Sequence, residues 1–387
     1  MKSSRDLRLD FCRGIALLII FIDHIPNNPL SGWTLRKFAF CDAAEVFVLI
    51  SGVATYFAYG SKLEREGSAS MTQAVARRWL RVYLAHLALF VAIAGLAFVT
   101  LPFLTRENYV HYLRLERLFA SPAEAIFAAA TLRYLPKYLD ILPLYLLLLG
   151  AAPLGLMMIR RSPLWALAVS GSIYFAARAA GLNLSDGSSQ DGWVFDPLTW
   201  QFLYVIGMAI GFWSRHGDRQ ILTRIGLIAA AAYCILGLIA AAPWLGPDTG
   251  LTLSNPLFNL WPAEKTFLSP LRLLNVLALS YLFVYFVSAD AGFLRTRLSI
   301  LFVWCGQHSL AIYSVGVFLS CAAYLTLTET GSPMAARLGA NVVGGAILIA
   351  LAFVLHRTGA RKPAVAERVG GTVGAKARMT PRELFQP

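Results

Sequence analysis

Charge is what this 387-residue sequence has least of. Asp, Glu, Lys and Arg together make up 14% of it, against about a quarter in ordinary soluble domains. Apolar residues take their place, 57% of the chain with a mean hydropathy of +0.61, and a soluble globular class is excluded. The five cysteines, Cys12, Cys41, Cys234, Cys305 and Cys321, are an odd number without CxxC spacing, so neither a disulfide framework nor a zinc site is expected. No internal repeat is visible, which weighs against inverted-repeat transporter folds. No small-residue cleavage site follows the first apolar run either, so that run is expected to remain as the first helix rather than to leave as a signal peptide.

What is present is a series of apolar runs near the ~20 residues that a membrane-spanning helix needs. They fall at 10–26, 43–60, 79–103, 139–159, 163–181, 198–214, 221–243, 270–289, 298–325 and 337–356. The expected fold is all-α, a polytopic membrane protein with about ten transmembrane helices. Most of the 34 Lys and Arg lie in segments that are on one side if the N-terminus is inside. The positive-inside rule then puts both termini in the cytoplasm. The net charge of +13 reads as this bias plus attraction to anionic lipid, and nucleic-acid binding is a poor account of it. A membrane domain is expected over 1–358, followed by a disordered cytoplasmic tail over 359–387, where Gly, Lys, Arg and Pro collect.

The run Asp10 to His24, DFCRGIALLIIFIDH, carries ionisable groups into that setting. Each costs from ~2.5 kcal/mol upward in hydrocarbon and persists mainly where it faces a cavity or a reaction path. Arg13 and His24 are eleven positions apart, roughly 16 Å along a helix axis. His24, beside Asp23, titrates near neutrality and suits a general base, with a carboxylate to hold its tautomer. Adjacent helical residues point ~100° apart, so Asp42 or Glu45, at the start of the second helix, are equal candidates for that carboxylate. Their other role is stabilisation of a helix N-terminus.

Arg13 suits phosphate recognition, or snorkels to the headgroups. Arg77, Arg78 and Arg81 enter the third helix as a phosphate-binding set or as topogenic charge. In CGQHSLAIYS, Gly306 suggests a break that leaves His308 and Ser309 lining an inner cavity; a satisfied core histidine is the alternative. On the outer side, residues 104–138 read as short interfacial helices. The loops 182–197 and 244–269, with Trp193, Asn183, Asp186, Asp191 and Asp196, read as the roof of a sugar pocket or as an interfacial aromatic belt.

These residues carry a resemblance. RDLRLDFCRGIALLIIFIDHIPNNPLSGWTLRKFAFCDAAEVFVLISG closely resembles the opening of OpgC-type membrane proteins, and WVFDPLTWQFLYVIGMAIG and GQHSLAIYS resemble later signatures of that family. The similarity runs in order over about residues 5–355. It implies membership of the wider transmembrane acyltransferase superfamily, an inner-membrane location, and transfer of an acyl group from cytoplasmic acyl-CoA to a sugar on the far side. The namesake activity is succinylation of osmoregulated periplasmic glucans. His24 matches the superfamily's essential histidine and Arg13 its motif arginine. The superfamily more often shows a hydrophobic residue where Asp23 stands, which leaves the assisting carboxylate open.

The combined expectation is an O-acyltransferase that binds donor phosphates at Arg13 and deprotonates a glucan hydroxyl with His24, requiring no metal. Arg36 or Lys37 is the nearest cation to read a distal succinyl carboxylate. The rivals are an O-acetyltransferase of another surface glycan and a proton-coupled transporter or flippase in which Asp23, His24, Asp42 and Glu45 form a relay.

Overall fold

Helix starts are written into the sequence as short polar residues, several followed by proline. Asp6 accepts from the Arg8 amide ahead of α1 (Leu7–His24), and Asp42 accepts from the Ala44 amide ahead of α2 (Ala43–Thr55). Ser162-Pro163, Asp196-Pro197 and Ser269-Pro270 open α8 (Pro163–Ala180), α9 (Pro197–His216) and α11 (Pro270–Phe286). In each pair the side-chain oxygen takes an orphan amide, and the proline sits where no amide is needed. The computed structural model describes residues 6–185, 192–217, 223–241 and 264–360. Among these, the fold is all-helical and has no strand.

The remaining long helices are α3 (Ser61–Thr100), α7 (Ile141–Arg161), α10 (Arg224–Ala241), α12 (Arg297–Gln307), α13 (Ser309–Glu329) and α14 (Met334–Ala360). Three short helices, α4 (Tyr109–Tyr112), α5 (Glu116–Ala120) and α6 (Pro122–Ala130), occupy the segment read as interfacial. Four stretches, Ala43–Phe103, Ile141–Arg161, Ser309–Glu329 and Met334–Gly359, are long and apolar enough to cross a membrane.

Two features of the long helices have local causes. The polar segment after residue 60 is helical. A π-turn at Tyr56–Gly60 leads straight into α3, which is interrupted only at Gly67, where φ is +84°. Glu66 pairs one turn away with both Lys62 and Ser70, the spacing that supports a solvated helix. The break expected near Gly306 falls at His308, which leaves helical geometry at φ −106°, ψ 30° and divides the apolar run 298–325 into two helices. The tail from 361, Asp186, Asp191 and residues 242–263 of the outer loop lie outside the described residues.

α1 is the axis on which the site is built, packed by α2, α12 and α13. Its contact with α12 is backbone to backbone. A Cβ at Gly14 would strike the Phe302 carbonyl, and one at Gly306 would strike the Asp10 carbonyl. Close approach through small residues is how apolar helices gain packing where no hydrophobic driving force separates them from lipid. It fixes the face of α1 that carries Arg13 and His24.

Candidate functional site

His24 is the last residue of α1, and a carbonyl of its own helix orients its ring. Nδ1 lies 2.5 Å from the Ile20 oxygen one turn back. A carbonyl can only accept, so Nδ1 carries the proton, and the lone pair of the neutral ring is on Nε2. The ring stands edge-on to Tyr138, with centroids 5.2 Å apart at 67°. Tyr138 has φ +74°, a conformation that costs a non-glycine residue ~1–3 kcal/mol and persists where the surroundings impose it. Burial and the neighbouring Tyr112 hydroxyl raise its phenol above the ordinary value.

The three candidate carboxylates are committed elsewhere. Asp23 accepts from Thr34 Oγ1 at 2.7 Å and lies 3.4 Å from Arg36 Nε. Asp42 and Glu45 form a reciprocal capping box at the start of α2, in which Glu45 accepts from the Asp42 amide at 2.9 Å. Glu45 is fully buried and takes Arg272 Nε at 2.6 Å. Asp42 takes Arg272 at 3.1 Å and Lys265 at 2.7 Å. Burial pushes the Asp42 carboxyl up, but Lys265 and Arg272 outweigh it and hold it below the ordinary carboxylate value. Among the described residues, none of these carboxylates hydrogen-bonds His24.

Cavities lie at both ends of α1. At the Arg13 end lies a cavity of ≈ 150 Å³ whose lining includes Arg13, Ser51, Thr55, Tyr59, Arg78 and Tyr313. Arg13 reaches the Ile50 carbonyl at 3.4 Å and lies 3.8 Å from Asp10. Arg78, Ser309 and Leu310 also border a side groove of ≈ 700 Å³, and His308 lies on that groove. Arg77 and Arg81 are exposed and line neither space. Of the arginine trio, the structure brings only Arg78 to Arg13.

At the other end His24 borders a slot of ≈ 10 Å³ with Phe21, Tyr313, Gly316 and Ser320. It also borders a second cavity of ≈ 180 Å³ with Asp23, Arg36, Asp42, Asp140, Phe195 and Lys265. A mouth of ≈ 470 Å³ opens beyond, lined by Asn27, Ser31, Arg36, Lys37, Tyr112 and Lys137. Tyr112 stacks on Tyr324 at 3.9 Å, and Lys137 lies 3.2 Å over its ring. Flat rings beside amides and carboxylates are what a polyhydroxylated ligand needs. From the loops expected to roof this pocket, Trp193 is buried, Asn183 donates to the Trp193 carbonyl, and Asp196 caps α9.

Tyr138, Tyr313, Lys265 and Arg272 were not legible as site residues in the sequence. For Arg272 a signal existed, since it is a cation inside an apolar run, like Arg13. The tyrosines carried none among the 15 present. A protein-family model described as OpgC protein matches residues 5–359 of the chain. No curated protein matches it.

Proposed function

The chain belongs to the OpgC family, and from that premise we propose that it is a multi-pass inner-membrane O-acyltransferase with His24 as general base. Its donor is cytoplasmic acyl-CoA, with succinyl the acyl group, and its acceptor is a hydroxyl of a periplasmic glucan. In this reading about ten spans cross the bilayer with both termini cytoplasmic, and α12 and α13 together form one broken span.

One observation carries the proposal. His24 sits where outer cavities meet the wall of an inner one, with Nδ1 tied to Ile20 so that Nε2 holds the lone pair. Arg13 and Arg78 at the far cavity supply two guanidinium groups for the donor's phosphates. The ~16 Å from Arg13 to His24 suits a long thin thioester-bearing arm. Nε2 takes the proton of the sugar hydroxyl, and the alkoxide oxygen bonds to the thioester carbonyl carbon. The carbon–sulfur bond then breaks, and the imidazolium returns the proton to the leaving thiolate. Arg36 and Lys265, on the outer cavity, are the cations nearest to where a succinyl carboxylate would lie.

The transporter reading needs carboxylates that exchange protons with His24. Asp23 is paired with Arg36, Asp42 with Lys265 and Arg272, and Glu45 with Arg272. Among the described residues none of these carboxylates hydrogen-bonds His24, so no direct relay to the ring is in place, and the acyltransferase reading is preferred. Purified protein given succinyl-CoA and glucan should release free thiol in proportion to acceptor, with the glucan gaining succinyl groups by mass. An intact thioester would overturn the enzyme reading, and acetyl transfer in preference to succinyl would move the proposal to an O-acetyltransferase.

A further inference from the structure

Tyr313 stands where the cavities meet. It lines the cavity that holds Arg13 and Arg78, the slot beside His24, and the outer cavity that holds Asp42 and Lys265. His24 borders the second and third of these but not the first, so the Tyr313 ring is part of the wall between them. That ring is held from three elements. It projects from α13, stacks on Phe47 of α2 with centroids 6.4 Å apart at 29°, and sets its hydroxyl by the Ile141 amide at the start of α7. Its residue is only 5% exposed. The slot it leaves beside His24, ≈ 10 Å³, has room for about one water molecule. No acyl group fits there while the ring stays in place.

We infer that Tyr313 is a positioning residue that separates the donor cavity from the acceptor cavity, and that the arriving acyl group turns its ring aside to reach His24. The inference rests on the acyltransferase reading proposed above. The competing reaction it restrains is hydrolysis, in which a water oxygen bonds to the acyl carbon, the carbon–sulfur bond breaks, and the thiol leaves with a proton from that water. A poised base beside a thioester promotes this reaction whenever water arrives before the sugar, so excluding water is part of making a transferase.

Two measurements test the partition. In the first, thiol release from succinyl-CoA is followed with and without glucan for wild type, Tyr313→Phe, Tyr313→Leu and Tyr313→Ala. Tyr313→Phe keeps the ring and should keep the wild-type ratio of hydrolysis to transfer. Tyr313→Leu and Tyr313→Ala should raise that ratio severalfold, Ala more than Leu. Equal ratios in all four proteins, or the same rise in Tyr313→Phe as in Tyr313→Ala, would overturn the inference.

In the second, Ser51→Cys is introduced into a chain whose five native cysteines are replaced, and a membrane-impermeant maleimide is added to the periplasmic face. Ser51 lines the donor cavity. Labelling should be slow with Tyr313 or Phe at position 313 and fast with Leu or Ala. Equally fast labelling with the ring present would contradict the partition. If wild type neither transfers nor hydrolyses the thioester, the donor assignment fails, and the labelling still decides whether Tyr313 divides the two spaces.

Discussion

At the His24 end of the site the cations Arg36, Lys265 and Arg272 each have a carboxylate within 2.6–3.4 Å. At the Arg13 end Arg78 has no carboxylate partner among the described residues, and Arg13 is 3.8 Å from Asp10. The linings differ in the same sense: Asp23, Asp42 and Asp140 border the cavity at the His24 end, and the lining of the Arg13 cavity holds two arginines and no carboxylate. Paired charges fix α2, α11 and the outer loop against one another, while the guanidinium of Arg78 borders open space. The difference teaches that the carboxylates nearest a histidine in sequence need not serve it.

Breaking the paired end should have the largest effect on stability. Arg272→Ala leaves Glu45 fully buried without its cation, and removing one partner of such a pair costs about 3–5 kcal/mol. Thermal unfolding in detergent should fall sharply, with Arg272→Lys recovering part of the loss. A midpoint equal to wild type would mean that the pair does not hold α11 to α2.

The open end should show its effect in donor affinity instead. Losing a charge-assisted contact to phosphate is worth about 1.5–3 kcal/mol, or roughly 10- to 100-fold in KM for acyl-CoA. Arg78→Ala should show that rise with kcat little changed and unfolding unaltered. Arg77→Ala and Arg81→Ala should leave KM where it was. Equal effects at all three positions would return the trio to bulk topogenic charge.

A smaller effect sharpens the comparison through pH. The Asp42 carboxyl is held below its ordinary value, so its ion pairs contribute fully above the unfolded carboxylate value of about 3.9. The contribution is lost as pH falls through the lower folded value. The difference in unfolding midpoint between wild type and Asp42→Asn should therefore be constant from neutral pH down to about pH 5 and shrink below about pH 4. A difference that already shrinks near pH 6 would show that Lys265 and Arg272 do not hold Asp42 ionised.

How much of this was legible beforehand depended on sequence distance. The apolar runs are local, and they marked most of the long helices. The spacing of Arg13 and His24 is likewise local, since one helix carries both. The partner of Glu45 lies 227 positions away at Arg272, and no periodicity within a segment reports such a contact. Arg77, Arg78 and Arg81 occupy neighbouring positions around one turn of α3, so the packing of α3 against α7 and α13 decides which of them faces Arg13. The Ile20 carbonyl was invisible for a different reason. Every helix offers such an oxygen one turn back, and Ser314 and Ser320 use theirs in mid-helix, so its presence singles out no side chain in the sequence.

The central claim is that His24 acts as base with a backbone carbonyl as its orienting group, while Glu45 serves the scaffold. The most direct test measures kcat and thermal stability together for His24→Gln and Glu45→Gln. His24→Gln should lose about 10²- to 10⁴-fold in kcat while unfolding near the wild-type temperature and still binding acyl-CoA. Glu45→Gln should unfold earlier, yet below its own transition retain kcat within an order of magnitude of wild type. Near-normal turnover in folded His24→Gln, or a collapse of kcat without loss of stability in Glu45→Gln, would contradict the account.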